Sequence, residues 1–138
     1  MNTIDCNWQG DMAFELSANN HTIIIDADES VGGKDLGPRP KPLMLAALAG
    51  CTGMDVVSIL RKMREPLSWF NIKVNANLTD EHPKVYDRVE IIYQFRESDG
   101  LNKDNVIKAI ELSQTKYCGV SAMFKEFASL EYRVEYLT

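Results

Sequence analysis

Cysteine and histidine are scarce in this sequence of 138 residues. There are three cysteines, Cys6, Cys51 and Cys118, and two histidines, His21 and His82. No CxxC occurs and the histidines have no paired spacing, so no structural metal site is expected. An odd, sparse cysteine count is not a disulfide scaffold either. It suits a reducing cytoplasm, where a disulfide is transient and chemical. Positive charge is also short, with a formal net charge of -5. That argues against broad binding to nucleic acid or to an anionic membrane. The N-terminus lacks the basic, apolar and small-residue succession of a secretory signal, so a cytoplasmic protein is expected. Repeats and low-complexity segments are absent.

What is present is one domain's worth of chain, residues 1–138, with 45% hydrophobic residues, enough to bury a core. Ile4, Cys6 and Trp8 alternate with polar residues, then Met12, Phe14 and Leu16, then Thr22–Asp26. The pattern predicts an antiparallel meander with turns at Gln9–Asp11 and Ser17–Asn20. A Gly/Pro-rich connection, Glu29–Pro42, leads into the longest apolar run, Leu43–Leu60. Helical spacing continues to Arg64, and Pro66 ends it. A helix of about 22 residues would be roughly 33 Å long. Strands follow at Phe70–Leu78 and Val85–Phe95, joined by a connection at Asp80–Lys84. A second helix is expected around Val106–Ser113, a short third one from near Cys118, and a closing strand over Leu130–Tyr136. The order βββ-α-ββ-αα-β defines an α+β domain.

The run Leu43–Leu60 is about long enough to span a membrane. However, Gly50, Gly53 and Asp55 lie inside it and no second span exists. A core or interface helix is therefore expected. It is apolar on every side, and so few strands cannot cover it. Each interior glycine costs roughly 1 kcal/mol relative to alanine. The usual compensation is close approach of another element or a ligand. Cys51 sits between these glycines, and Asp55 lies one turn on, on nearly the same face. A buried aspartate needs partners. Cys118 opens the third helix, where backbone N–H groups would favour its thiolate; the alternative is a small core residue. Cys6 reads as a small hydrophobe on a strand face.

The stretches GPRPKPLMLAALAGCTGMDVVSILRKMR (Gly37–Arg64) and SQTKYCGVSAM (Ser113–Met123) resemble the OsmC/Ohr family of thiol-dependent hydroperoxide reductases, in a divergent, OsmC-like branch. The resemblance covers nearly the whole chain. It implies antiparallel sheets around a long central helix, in an intertwined homodimer whose sites use both chains. It implies that Cys51 attacks a peroxide and becomes a sulfenic acid. Cys118 then resolves it as a disulfide, which an external dithiol reductant opens. No bound cofactor or metal is implied, and the partners are a second copy, a small hydroperoxide or other small ligand, and the reductant. The family's N-terminal arginine is missing, since residues 1–33 contain no Lys or Arg. Lys41 stands where the family carries a glutamate. Arg39 and Lys41 are the nearest candidates to stabilise the thiolate or line the pocket, with Asp55; Lys116 is a further cation. Three functions remain open: a Cys51/Cys118 peroxidase of organic hydroperoxides, a non-peroxidatic protein binding a small hydrophobic or anionic ligand, and a slow thiol redox sensor.

Overall fold

A computed structural model describes residues 1–138. The residues gather into two compact units, Met1–Met44 and Leu45–Thr138.

The first unit is a three-stranded antiparallel meander of β1 (Asp5–Trp8), β2 (Phe14–Ala18) and β3 (His21–Ile25). Ala18 pairs with His21, which leaves Asn19 and Asn20 as a two-residue turn, both at positive φ. Asparagine tolerates that left-handed backbone better than most residues, and such a turn matches the twist of the paired strands. The Gly/Pro-rich connection that follows is tied down by one carboxylate. Asp26, only 3% exposed, accepts backbone N–H bonds from Ala27 (2.7 Å), Lys34 (3.1 Å) and Leu36 (3.2 Å). Gly33 is required there, because a Cβ would lie 2.0 Å from the Ala27 carbonyl oxygen.

Cys6 corrects an expectation. It does not sit on a buried strand face; it is exposed, as are all four residues of β1. Its strand is the edge of a sheet of three, and its neighbours Ile4 and Trp8 are exposed too. Alternation in the sequence marks a face but does not say what covers it.

Helix α1 (Pro40–Lys62) begins in the first unit and runs into the second. The second unit then adds β4 (Phe70–Leu78), β5 (Tyr86–Arg96), α2 (Lys103–Leu112), α3 (Gly119–Lys125) and β6 (Ser129–Leu137). β5 is the middle strand of β4-β5-β6. It pairs antiparallel with β4 but parallel with β6, so this sheet is mixed rather than antiparallel throughout. The helical crossover between β5 and β6 supplies the chain length that a parallel return needs. Asn102 caps α2, its side chain accepting from the Asp104 and Asn105 N–H groups. Between α2 and α3 the chain widens into one π-helical turn, Ser113–Tyr117, closed by the Cys118 N–H donating to the Ser113 carbonyl at 2.8 Å.

The core of this unit gathers Val89, Ile91, Tyr93 and Phe95 of β5, Val106 and Ile110 of α2, Phe124 of α3, and Leu48, Val56 and Leu60 of α1. Only one stripe of α1 is buried: Leu48, Thr52, Val56 and Leu60, at every fourth position. Met44 and Met54 are exposed at 46% and 77%. By length and composition α1 is long and apolar enough to cross a membrane. Gly53 lies against β4, where an added Cβ would meet the Ile72 Cδ1 at 3.0 Å, whereas Gly50 faces open space.

Candidate functional site

The second unit brings Cys51 and Cys118 together. α1 presents Cys51, half-buried; the end of the π turn presents Cys118, 4% exposed. Cys118 caps α3, its sulfur accepting the Ser121 N–H at 3.3 Å. Burial pushes the Cys118 thiol above its usual range. Hydrogen bonds from the Ser121 hydroxyl and N–H oppose that push, and the adjoining Cys51 thiol adds to it. The pair is therefore asymmetric: one thiol is more accessible, and the other is enclosed and hydrogen-bonded.

Beneath the thiols lies a buried polar network. The Thr52 hydroxyl is 2.7 Å from the Tyr93 hydroxyl and 2.8 Å from that of Ser113. Ser113 donates to the Asp55 carboxylate at 2.9 Å. The Gln114 amide Nε2 reaches the Tyr93 hydroxyl at 2.9 Å, the Ser121 hydroxyl at 3.1 Å and the Thr52 hydroxyl at 3.3 Å. Thr52, Tyr93, Ser113 and Ser121 are fully buried. Burial also pushes the Tyr93 phenol up, against its bonds to Thr52 and Gln114. Asp55, expected to need partners, has Ser113 as one. The π turn matters locally. Its wider winding turns two consecutive residues, Ser113 and Gln114, into the interior.

The other candidates stand differently. In the first unit, Arg39 pairs with Asp35 at 2.7 Å and Asp28 at 3.4 Å. The Asp35 hydrogen bond leads in pushing its guanidinium further up. Lys41 is exposed in the first turn of α1. Lys116 is exposed and lies over the Tyr117 ring at 5.2 Å. Thr52, Tyr93, Gln114 and Ser121 were missed by sequence reasoning. Their signal is polarity at positions where helical or strand periodicity asks for an apolar side chain, within seven residues of one or other cysteine for all but Tyr93.

A groove of about 780 Å³ runs between α1 and β4, lined by Gly50, Gly53, Met54, Val57, Phe70 and Ile72, with Arg61 and Lys62 also in its wall. It follows the small-residue side of α1.

The family model for OsmC-like proteins matches residues 32–133, and the chain belongs to that family. Protein YhfA of Escherichia coli K12 is 29% identical over 119 residues, covering 86% of this chain and 85% of that protein. A crystal structure of a hypothetical protein from Aquifex aeolicus superposes with a TM-score of 0.81 at 24% identity, covering 100% of this chain and 98% of that one. The organic hydroperoxide resistance protein OhrB of Bacillus subtilis superposes with a TM-score of 0.67 at 12% identity, with 97% of each chain covered. At these identities the solved structures establish the shared α+β fold.

Proposed function

We propose that this chain is a thiol-dependent peroxidase that reduces small organic hydroperoxides through Cys51 and Cys118. The observation that carries the reading is the adjacency of a half-buried thiol and an enclosed, hydrogen-bonded one. In the first step the Cys51 sulfur attacks the terminal peroxide oxygen. The O–O bond breaks, an alcohol leaves, and Cys51 becomes a sulfenic acid. Cys118 then attacks that sulfur, forming the disulfide and releasing water. An external dithiol restores both thiols and leaves as its own disulfide. The cycle uses no resident cofactor. Arg39 and Lys41 remain the proposed cations for the Cys51 thiolate, and Asp55 a pocket residue.

The reading includes a cytoplasmic homodimer. Within one chain α1 buries a single stripe and leaves Met44, Met54 and the glycine-lined groove uncovered. A second copy laid there would bury that surface, as obligate dimers do. A second reading is favoured by the same groove. Apolar walls with Arg61 and Lys62 beside them suit a small hydrophobic or anionic ligand, held without turnover.

The test is stopped-flow consumption of cumene hydroperoxide and hydrogen peroxide, with dihydrolipoamide and a monothiol compared as reductants. Wild type should turn over the organic peroxide with the dithiol. Cys51→Ser should abolish consumption, and Cys118→Ser should allow one equivalent without turnover on the dithiol. A wild-type rate no greater than that of Cys51→Ser overturns the peroxidase and leaves the ligand-binding reading.

A further inference from the structure

The polar network beneath the cysteines has one consistent arrangement of donors, and it can be worked out from its acidic end. A carboxylate only accepts hydrogen bonds, and a hydroxyl has a single proton to give. Ser113 donates to Asp55, so its proton is committed. Thr52 must then donate to Ser113, and Tyr93 to Thr52. The Tyr93 oxygen is left to accept from Gln114, whose amide has two protons. The second of these goes to the Ser121 oxygen, the next shortest contact. Ser121 therefore accepts from Gln114 and keeps its own proton uncommitted. The backbone N–H of the same residue donates to the Cys118 sulfur at 3.3 Å, which sets Ser121 beside that sulfur. Every hydroxyl in the chain is fully buried and Gln114 is 8% exposed. Bulk water is thus poorly placed to reverse the order, and a low-polarity setting strengthens each bond.

We propose that Ser121 is a catalytic residue of the disulfide cycle: its hydroxyl donates to the Cys118 sulfur whenever that sulfur carries negative charge, and the hydrogen-bond chain ending at Asp55 keeps the hydroxyl free to do so. The inference rests on the peroxidase reading for its Cys51–Cys118 disulfide. Charge develops on Cys118 twice. It does so when Cys118 loses its proton to attack the Cys51 sulfenic acid, the S–S bond forming as the S–O bond breaks and the hydroxide leaves with that proton as water. It does so again on reduction. Cys51 is the more exposed sulfur, so the thiolate of the external dithiol attacks there. The S–S bond breaks and Cys118 leaves as a thiolate, while the second thiol of the reductant later frees Cys51. A better-stabilised leaving thiolate leaves faster. Burial alone would hold Cys118 neutral, and the Ser121 bonds are what oppose it. No lysine or arginine side chain takes part in the chain of bonds from Asp55 to Ser121. A neutral donor thus does for Cys118 what a cation commonly does for a reactive thiol.

The experiment reads disulfide opening without peroxide. Full-length protein in a Cys6→Ser background is oxidised with diamide, and its opening by dithiothreitol is followed by stopped-flow tryptophan fluorescence from pH 6 to 9. Ser121→Ala should slow opening by about tenfold, the worth of one hydrogen bond to a charged group partly expressed at the transition state. Ser121→Thr, which keeps the hydroxyl, should restore most of the rate. Tyr93→Phe breaks the chain between Gln114 and Thr52 and should slow opening in the same direction, by about threefold. A Ser121→Ala protein that opens at the wild-type rate at every pH overturns the proposal. So does diamide failing to form the Cys51–Cys118 disulfide. If Ser121→Ala is unfolded by circular dichroism, Tyr93→Phe decides by the same criterion, with a wild-type rate overturning it. Because no peroxide enters, failure of the peroxidase reading shows separately: a Ser121 effect on opening in a protein that does not turn over cumene hydroperoxide removes only that earlier reading.

Discussion

The two units of the chain satisfy buried polar groups in opposite ways. In Met1–Met44 a single charge does it. Asp26 is buried and draws three backbone N–H groups of a Gly/Pro-rich connection onto one carboxylate. In Leu45–Thr138 the buried polar groups are nearly all neutral, and hydroxyls and one amide satisfy each other in sequence before reaching Asp55 near the surface. The difference follows from what each must hold. A loop without a ladder has backbone donors to place, and a carboxylate is the strongest acceptor for them. Buried hydroxyls each have one proton to give, so they satisfy one another in a chain with a single direction. The units also differ in packing. The second has a contiguous core around β5, whereas the first exposes all of β1 and Ile23 at 47%.

That contrast can be broken hardest in the core. Leu60→Ala in the second unit removes a fully buried side chain and should cost about 2–5 kcal/mol. Ile23→Ala in the first unit should cost less than about 1 kcal/mol, because the residue is already half in solvent. Urea unfolding of both variants measures the pair, and equal losses would mean that the first unit is covered by something outside one chain.

Thr52→Val keeps the volume but removes the hydroxyl that joins Tyr93 to Ser113. It should cost about 1–3 kcal/mol in the same experiment, since the buried Tyr93 hydroxyl loses its acceptor. A neutral or stabilising result would show that the network closes on itself without Thr52.

The smallest effect belongs to Asp26 and sharpens the comparison through pH. Burial pushes its carboxyl up, but the N–H groups of Ala27, Leu36 and Lys34, with Arg39 nearby, together hold it below its ordinary range. The sign follows by linkage. A carboxyl lowered in the folded state stabilises fully above its unfolded pKa of about 3.9, and that contribution fades as pH falls through the folded value. Amide exchange at Lys34 and Leu36, corrected for intrinsic rates, should therefore stay protected near neutrality and lose protection below about pH 4. Asp26→Asn should show the weaker protection already at neutral pH. Protection equal to wild type would assign the loop's order to Gly33 and the prolines instead.

Much of this architecture was legible in the chain itself. Period-two alternation placed the strands, the apolar run marked α1, and Pro66 ended it near its true stop at Lys62. The paired asparagines signalled a turn because they tolerate positive φ. Cys51 and Cys118 stood out by their context, as did Asp55. These features are local, and local sterics and periodicity decide them.

The pairing of Cys51 with Cys118 came from the family resemblance, and most other properties that depend on a partner distant in sequence stayed hidden. Cys6 has the alternation of a buried position, yet lies on an uncovered edge strand. The parallel pairing of β6 on β5 depends on where a two-helix crossover returns. Ser113, Gln114 and Ser121 look like ordinary polar helix residues until a π turn faces two of them inward and Tyr93, some twenty residues away along the chain, meets them. Composition and periodicity by themselves determined which elements form and which thiols stand in unusual settings, because both are set by neighbours along the chain. Only the tertiary structure decided which hydroxyls, amide and thiols come together, because a hydrogen bond is fixed by distances of a few tenths of an ångström between groups that the sequence keeps far apart.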